Sequence, residues 1–225
     1  SLRDRLLAKA DKVMIKLSPM LDWRKAVADL GTANVSQVHI VSVDNECKEL
    51  LVIMSGRQTD EVEVCCANII TTSHPHSALP SDATPRQHYL YEPNASIMKA
   101  GCYTLVEERY GIAQIAPNSH LFVADALVDD FPGRTFAVER VATMNKRELR
   151  SALKGISIAN IAVRNFPMTA VELGKRLKLK EGGEWYLFAT TDQEGKHILY
   201  FCRKVVQKAE KSCKNRQIFL FSQQL

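Results

Sequence analysis

The chain has 225 residues, 46% of them hydrophobic, and a formal net charge of +5. That is enough apolar material for one large core or two to three small ones, and it excludes a disordered chain. No apolar run approaches the roughly 18 residues that span a bilayer, and the opening SLRDRLLAKADK is charged and amphipathic without a signal-peptide core, so a cytoplasmic protein with no membrane partner is predicted.

In chain order, residues 1–10 place Leu2, Leu6, Leu7 and Ala10 on one face of a short helix. VMIKLSP follows as a buried strand stopped by Pro19, then a helix over residues 22–30 with Gly31 as its stop. Residues 35–43 and 48–55 read as two strands joined by the polar DNEC, an antiparallel hairpin. In VEVCCANII, alternation sends Cys65 and Cys66 to opposite faces of a strand. TTSHPHSALPSDATPR, residues 71–86, reads as a linker rich in Ser, Thr and Pro.

After the linker, HYLYEP predicts a strand. Asn94 then caps a single helix whose stripe of Ile97, Met98, Cys102, Leu105 and Val106 runs to a stop near Gly111, and two short strands complete a small α+β unit. FPGRTF marks a boundary. The last module alternates regularly as β-α-β-α-β-β, an α/β layer with helices on its faces, and Asn145 and Thr169 each have Glu three residues on, the spacing of a capping box. The tail carries an apolar IFLF run able to add an edge strand. The expected fold is thus α/β built from α+β modules, divided at residues 1–72, 73–133 and 134–225.

No complete catalytic or cofactor site can be assembled from this sequence. There is no G-x-G turn, P-loop, H-E-x-x-H or G-x-S-x-G, and none of the six cysteines forms a C-x-x-C pair, so no catalytic residue, bound cofactor or metal is expected. His74, His76 and His88 offer an H-x-H without a closed ligand set and read as solvated loop histidines.

The charge distribution is more informative. From residue 134 to the end, 18 Lys and Arg stand against 8 Asp and Glu, a net +10, while the remainder carries −5. Lys146, Arg147 and Arg150 lie on one predicted helix, Lys175, Arg176, Lys178 and Lys180 crowd the end of the next, and Arg164 sits on the strand between. Cations at helix ends complement the dipole, but this excess suits salt-sensitive phosphate contacts, and nucleic acid is the expected partner. Tyr91, Glu92 and Asn94 bracket a helix N-terminus and are candidate substrate-proximal groups, with a plain helix cap as the alternative. A protein-interaction scaffold whose basic face meets an acidic partner is the competing functional reading.

At VMIKLSPMLDW, VHIVSVDNECKELLVIM, YLYEPNASIMKAG and VRNFPMTAVELGKRLKL…GKHILYFCR the chain resembles a bacterial family of class I S-adenosylmethionine-dependent methyltransferases. Members of that family carry a ferredoxin-like insertion and a THUMP-like domain, a module type associated with RNA binding. The resemblance implies that residues 13–17 are the fifth strand of a Rossmann-like sheet and that the hairpin supplies its last two. The S-adenosylmethionine site would then lie upstream of Ser1, and this portion alone would not be catalytically competent. It also implies an unpaired sheet edge, open to the missing N-terminal half of the methyltransferase domain or to a homodimer.

Overall fold

The computed structural model describes residues 2–71, 88–205 and 216–223, which form two compact units. The first comprises residues 2–71, Asn94–Cys102 and 216–223; the second comprises residues 88–93 and 103–205.

The first unit opens with α1 (Leu2–Leu7), β1 (Lys12–Leu17) and α2 (Trp23–Leu30). Asp22 caps α2 by accepting the Lys25 N–H at 2.9 Å, a bond that holds its carboxyl below the usual value. β2 (Val35–Val43) and β3 (Glu46–Ser55) are joined by Asp44 and Asn45 alone, with φ of 49° and 66°. This is the mirror-image turn whose twist suits a hairpin. The strand therefore starts two residues earlier than its apolar pattern predicts, because the turn needs only two residues.

β4 (Val62–Ile69) runs parallel to β2, and the tail strand β12 (Arg216–Gln223) pairs antiparallel with β4, giving the mixed order β1-β3-β2-β4-β12. Among the described residues β1 pairs with β3 only, so its other edge is open. Val38, Ile40, Leu50, Val52, Met54, Val64 and Cys66 are fully buried, as are Trp23 and Val27 of α2. Alternation turns one set of strand residues to the core, and burial of each large side chain contributes about 1.5–3 kcal/mol.

The single helix expected over residues 94–111 is two helices. α3 (Ala95–Ala100) ends at Gly101, which takes the left-handed conformation at φ 67° and donates its N–H to Ile97 O. α3 lies against β2, β3 and β4, and the Trp23 indole donates to Ala100 O at 3.3 Å. α4 (Tyr103–Tyr110) belongs to the second unit. The apolar stripe continues across the break because both helices need a buried face, so periodicity alone cannot see it.

The second unit carries β5 (Tyr89–Pro93), β6 (Ala113–Gln114), β7 (Phe122–Ala124), β8 (Gly133–Thr143), α5 (Lys146–Ala152), β9 (Asn160–Arg164), α6 (Ala170–Leu177), β10 (Trp185–Thr191) and β11 (His197–Val205). They build one seven-stranded mixed sheet in the order β6-β7-β5-β8-β11-β10-β9, and from β8 onward the elements follow the expected β-α-β-α-β-β alternation. One face is a core of Ala142, Leu187, Leu199 and Phe201 with Leu173 and Leu177 of α6 and Ala152 of α5. The other face gathers Leu90, Phe136, Phe188 and Cys202 with Ile115 and Leu121. At the β5–β8 pair, a Cβ on Gly133 would stand 2.2 Å from Glu92 O, so only glycine admits this register. No described helix is long and apolar enough to cross a membrane.

Candidate nucleic-acid interface

Two capped helices hold out most of the cations singled out above. α6 has the full reciprocal capping box: Thr169 Oγ1 accepts the Glu172 N–H at 3.2 Å, and Glu172 accepts the Thr169 N–H at 2.8 Å. α5 differs. Asn145 accepts the Arg147 and Glu148 N–H groups, but Glu148 reaches past the cap to Thr143, accepting its N–H at 2.8 Å and its hydroxyl at 2.7 Å. The expected box at Asn145 is therefore half a box, closed onto the end of β8. Both glutamates are held below the usual carboxylate range, first by the backbone N–H each accepts and then by the hydroxyl.

Lys146, Arg147 and Arg150 stand exposed on α5, and Lys175 and Arg176 on the last turn of α6. Lys178 ends α6 in the left-handed conformation, donating its N–H to Gly174 O and Lys175 O. Lys180 bridges to Ile158, so the segment after α6 runs beside the segment that follows α5. The topology thus gathers Lys154, Lys178 and Lys180 towards one end of the helical layer, beyond both helix C-termini.

Arg164 is placed differently. It is half-buried and donates to Glu92 Oε1 at 3.0 Å, while Arg134 Nε donates to Glu92 Oε2 at 2.7 Å. Glu92 is 2% exposed, so this carboxylate is the buried centre of a two-arginine clamp joining β5, β8 and β9. Tyr91 is buried against Phe131, donates its hydroxyl to Ala126 O at 3.0 Å and accepts the Val128 N–H at 2.8 Å. Asn94, in the first unit, caps α3 through Ser96 and Ile97. Each of these three candidates is engaged in holding its own unit.

One arrangement was not visible in the sequence. Trp185 lies opposite Arg203 in the β10–β11 register, with the Arg203 guanidinium 4.1 Å and that of Arg140 5.2 Å from its ring centroid. The only advance signal was an aromatic seven residues before the DQEG turn and an arginine eight residues after it.

His88 pairs with Asp125 at 2.7 Å, and His74 and His76 lie outside the described residues. Among the described residues no group of three His, Cys, Asp or Glu side chains is placed to hold a metal.

Comparison with known proteins adds to this geometry. Residues 89–132 match a ferredoxin-like domain. Residues 133–204 match a THUMP domain-like module. The chain is also similar to a crystal structure from Porphyromonas gingivalis that carries the name "putative methyltransferase", with 32% sequence identity and a TM-score of 0.78 over 91% of this chain. The chain spans 54% of the length of that protein. No curated protein matches it in sequence.

Proposed function

We propose that this chain is the RNA-gripping portion of an S-adenosylmethionine-dependent RNA methyltransferase, with the cofactor held by strands outside these 225 residues. The observation that carries this reading is the exposed set Lys146, Arg147, Arg150, Lys175, Arg176, Lys178 and Lys180, most of it unpaired, among the described residues, with carboxylates that would neutralise it. The similarity to the Porphyromonas protein and the THUMP domain-like match support it. So does the β1-β3-β2 order, which is that of the far end of a Rossmann-like methyltransferase sheet, with the free edge of β1 where further strands of that sheet, or a second copy of the chain, would pair.

We place the protein in a bacterial, reducing cytoplasm. Among the described residues Cys47, Cys65, Cys66, Cys102 and Cys202 form no disulfide, and the similar protein is bacterial.

The test is titration of a fluorescent structured RNA at two salt concentrations, against the wild type and a variant with Arg147, Arg150, Arg176 and Lys178 changed to Glu. Binding that weakens with salt and is lost in the variant supports RNA; each phosphate contact contributes about 0.7–0.9 to the log–log salt slope. Absence of binding at low salt, with a stoichiometric protein partner recovered after nuclease treatment, moves the basic face to a protein-interaction role.

A further inference from the structure

We propose that the cleft beyond the C-terminal ends of α5 and α6 is a binding site for one unpaired nucleobase of a single-stranded RNA segment. This rests on the RNA reading above and specifies the form of RNA that the module takes.

The cleft is a shallow depression open to solvent, of about 250 Å³, lined by residues 155–158, Gly183, Glu184, Trp185 and Arg203. A nucleobase occupies on the order of half that volume, which leaves room for its sugar at the mouth. Its walls are of two kinds. Ile158, 42% exposed, offers an apolar surface outside the core, and half-buried Trp185, with the Arg203 guanidinium laid over its ring, lines the same depression. An indole edge and a flat cation beside an exposed aliphatic wall make a stacking platform, which accepts any base because every base has a π-face.

The platform is also held in position. Arg203 Nη1 donates to Glu184 at 2.7 Å, and Arg140, 5.2 Å from the Trp185 centroid, donates to Ala152 O and Lys154 O at 2.8 Å each. Two of the carbonyls at and just beyond the end of α5 are thereby bonded to a side chain that supports the platform. A base entering here does not have to order these side chains first.

Exposed lysines neighbour the lining residues along the backbone. Lys154 immediately precedes the lining residue Gly155, and Lys180 is bridged to the lining residue Ile158, with Lys178 two residues before it. Glu184 is already paired with Arg203 and so does not repel a phosphate as a free carboxylate would. A single strand can lay a splayed base on this platform, whereas a duplex keeps its bases stacked inside.

The experiment uses the full chain carrying Trp23→Phe, which leaves Trp185 as its one tryptophan. A twelve-nucleotide oligo(A) and a blunt RNA duplex of equal length are titrated at low salt, following both affinity and Trp185 fluorescence. The single strand is expected to quench Trp185 and the duplex is not. Ile158→Asp and Trp185→Leu are each expected to lower single-strand affinity about 5- to 150-fold, the range for losing one stacked base, with duplex affinity unchanged. Ile158→Asp removes no buried contact of the core, so it tests the site even if Trp185→Leu unfolds the module. Single strand and duplex binding alike, both indifferent to Ile158→Asp, overturn the cleft and leave the RNA reading standing. No RNA binding at low salt overturns that reading and the cleft with it. Equal quenching by poly-glutamate shows that charge alone is recognised and overturns the base site.

Discussion

Glu92 shows how one residue type in one place can serve architecture instead of chemistry. Its carboxylate is 2% exposed between the arginines of β8 and β9, whose side chains are 37% and 33% exposed. Removing it leaves two guanidiniums facing each other, one of them with a buried Nε that has no hydrogen-bond partner among the described residues. Allowing for their exposure, Glu92→Ala is expected to cost about 2 kcal/mol in chemical denaturation. Arg164→Gln should lower stability in the same way while leaving the salt slope of RNA binding unchanged; a reduced slope would return Arg164 to the phosphate-contacting set. His120, near the same clamp, stacks on Tyr103 at 4.4 Å and has its pKa held below the ordinary 6.5, chiefly by burial and then by Arg164. The sign follows from proton binding. Below pH 6.5 the unfolded chain takes up a proton that the folded one refuses, so stability falls as pH drops from 6.5 towards the lower folded value. His120→Asn, which tolerates the φ of 53° at this position, is expected to flatten the decline in melting temperature between about pH 7 and 5 relative to wild type.

Among the elements, α6 and α3 are short and depend on their ends. Thr169→Ala removes the hydroxyl that accepts the Glu172 N–H and is expected to destabilise the second unit by about 1 kcal/mol. Its effect should be larger above about pH 5 than below about pH 3. Glu172, held below its usual range by Thr169, contributes stability present above the unfolded carboxylate value and lost as pH falls through the lower folded one. Gly101 separates α3 from α4 with a positive φ, and without it the chain would run on as the single helix that its apolar stripe suggests. The break lets two adjacent helices serve different cores.

At the scale of the whole molecule, the first sheet depends on a strand from the far end of the chain. β12 covers β4 over its full length, with Phe219 fully buried while Ile218 and Leu220 face outward. Phe219→Asp places a carboxylate in that core and is expected to release the strand, leaving β4 as an exposed apolar edge. Light scattering should then show self-association that the wild type lacks at the same concentration; an unchanged mass would mean that β4 does not need this cover. The charge division has the same long-range character. Of the C-terminal excess, residues 134–205 carry 14 Lys and Arg against 7 Asp and Glu, a net +7 on a module that shows its helices to solvent, which favours encounter with a polyanion.

The local sequence was sufficient wherever the deciding forces are local. The caps at Asn94, Asn145 and Thr169, the strand alternation around Cys65 and Cys66, and the β-α-β-α-β-β order were all legible, because side-chain hydrogen bonds to the nearest turn and a period of two or 3.6 are written within a few residues. So was the cationic surface of α5 and α6, since an exposed helix face keeps its charges wherever it packs. What only the tertiary structure decided were pairings across long separations. Arg164 reaches Glu92 over 72 positions because the intervening strands bring β5 and the end of β9 together, and the IFLF tail joins β4 because that strand's edge offered backbone partners. Trp185 meets Arg203 and Arg140 through strand register, which depends on the turn and the bulge between Phe201 and Cys202. Contacts of this kind depend on the closure of the whole sheet, whose energy is shared among many residues and written at none of them.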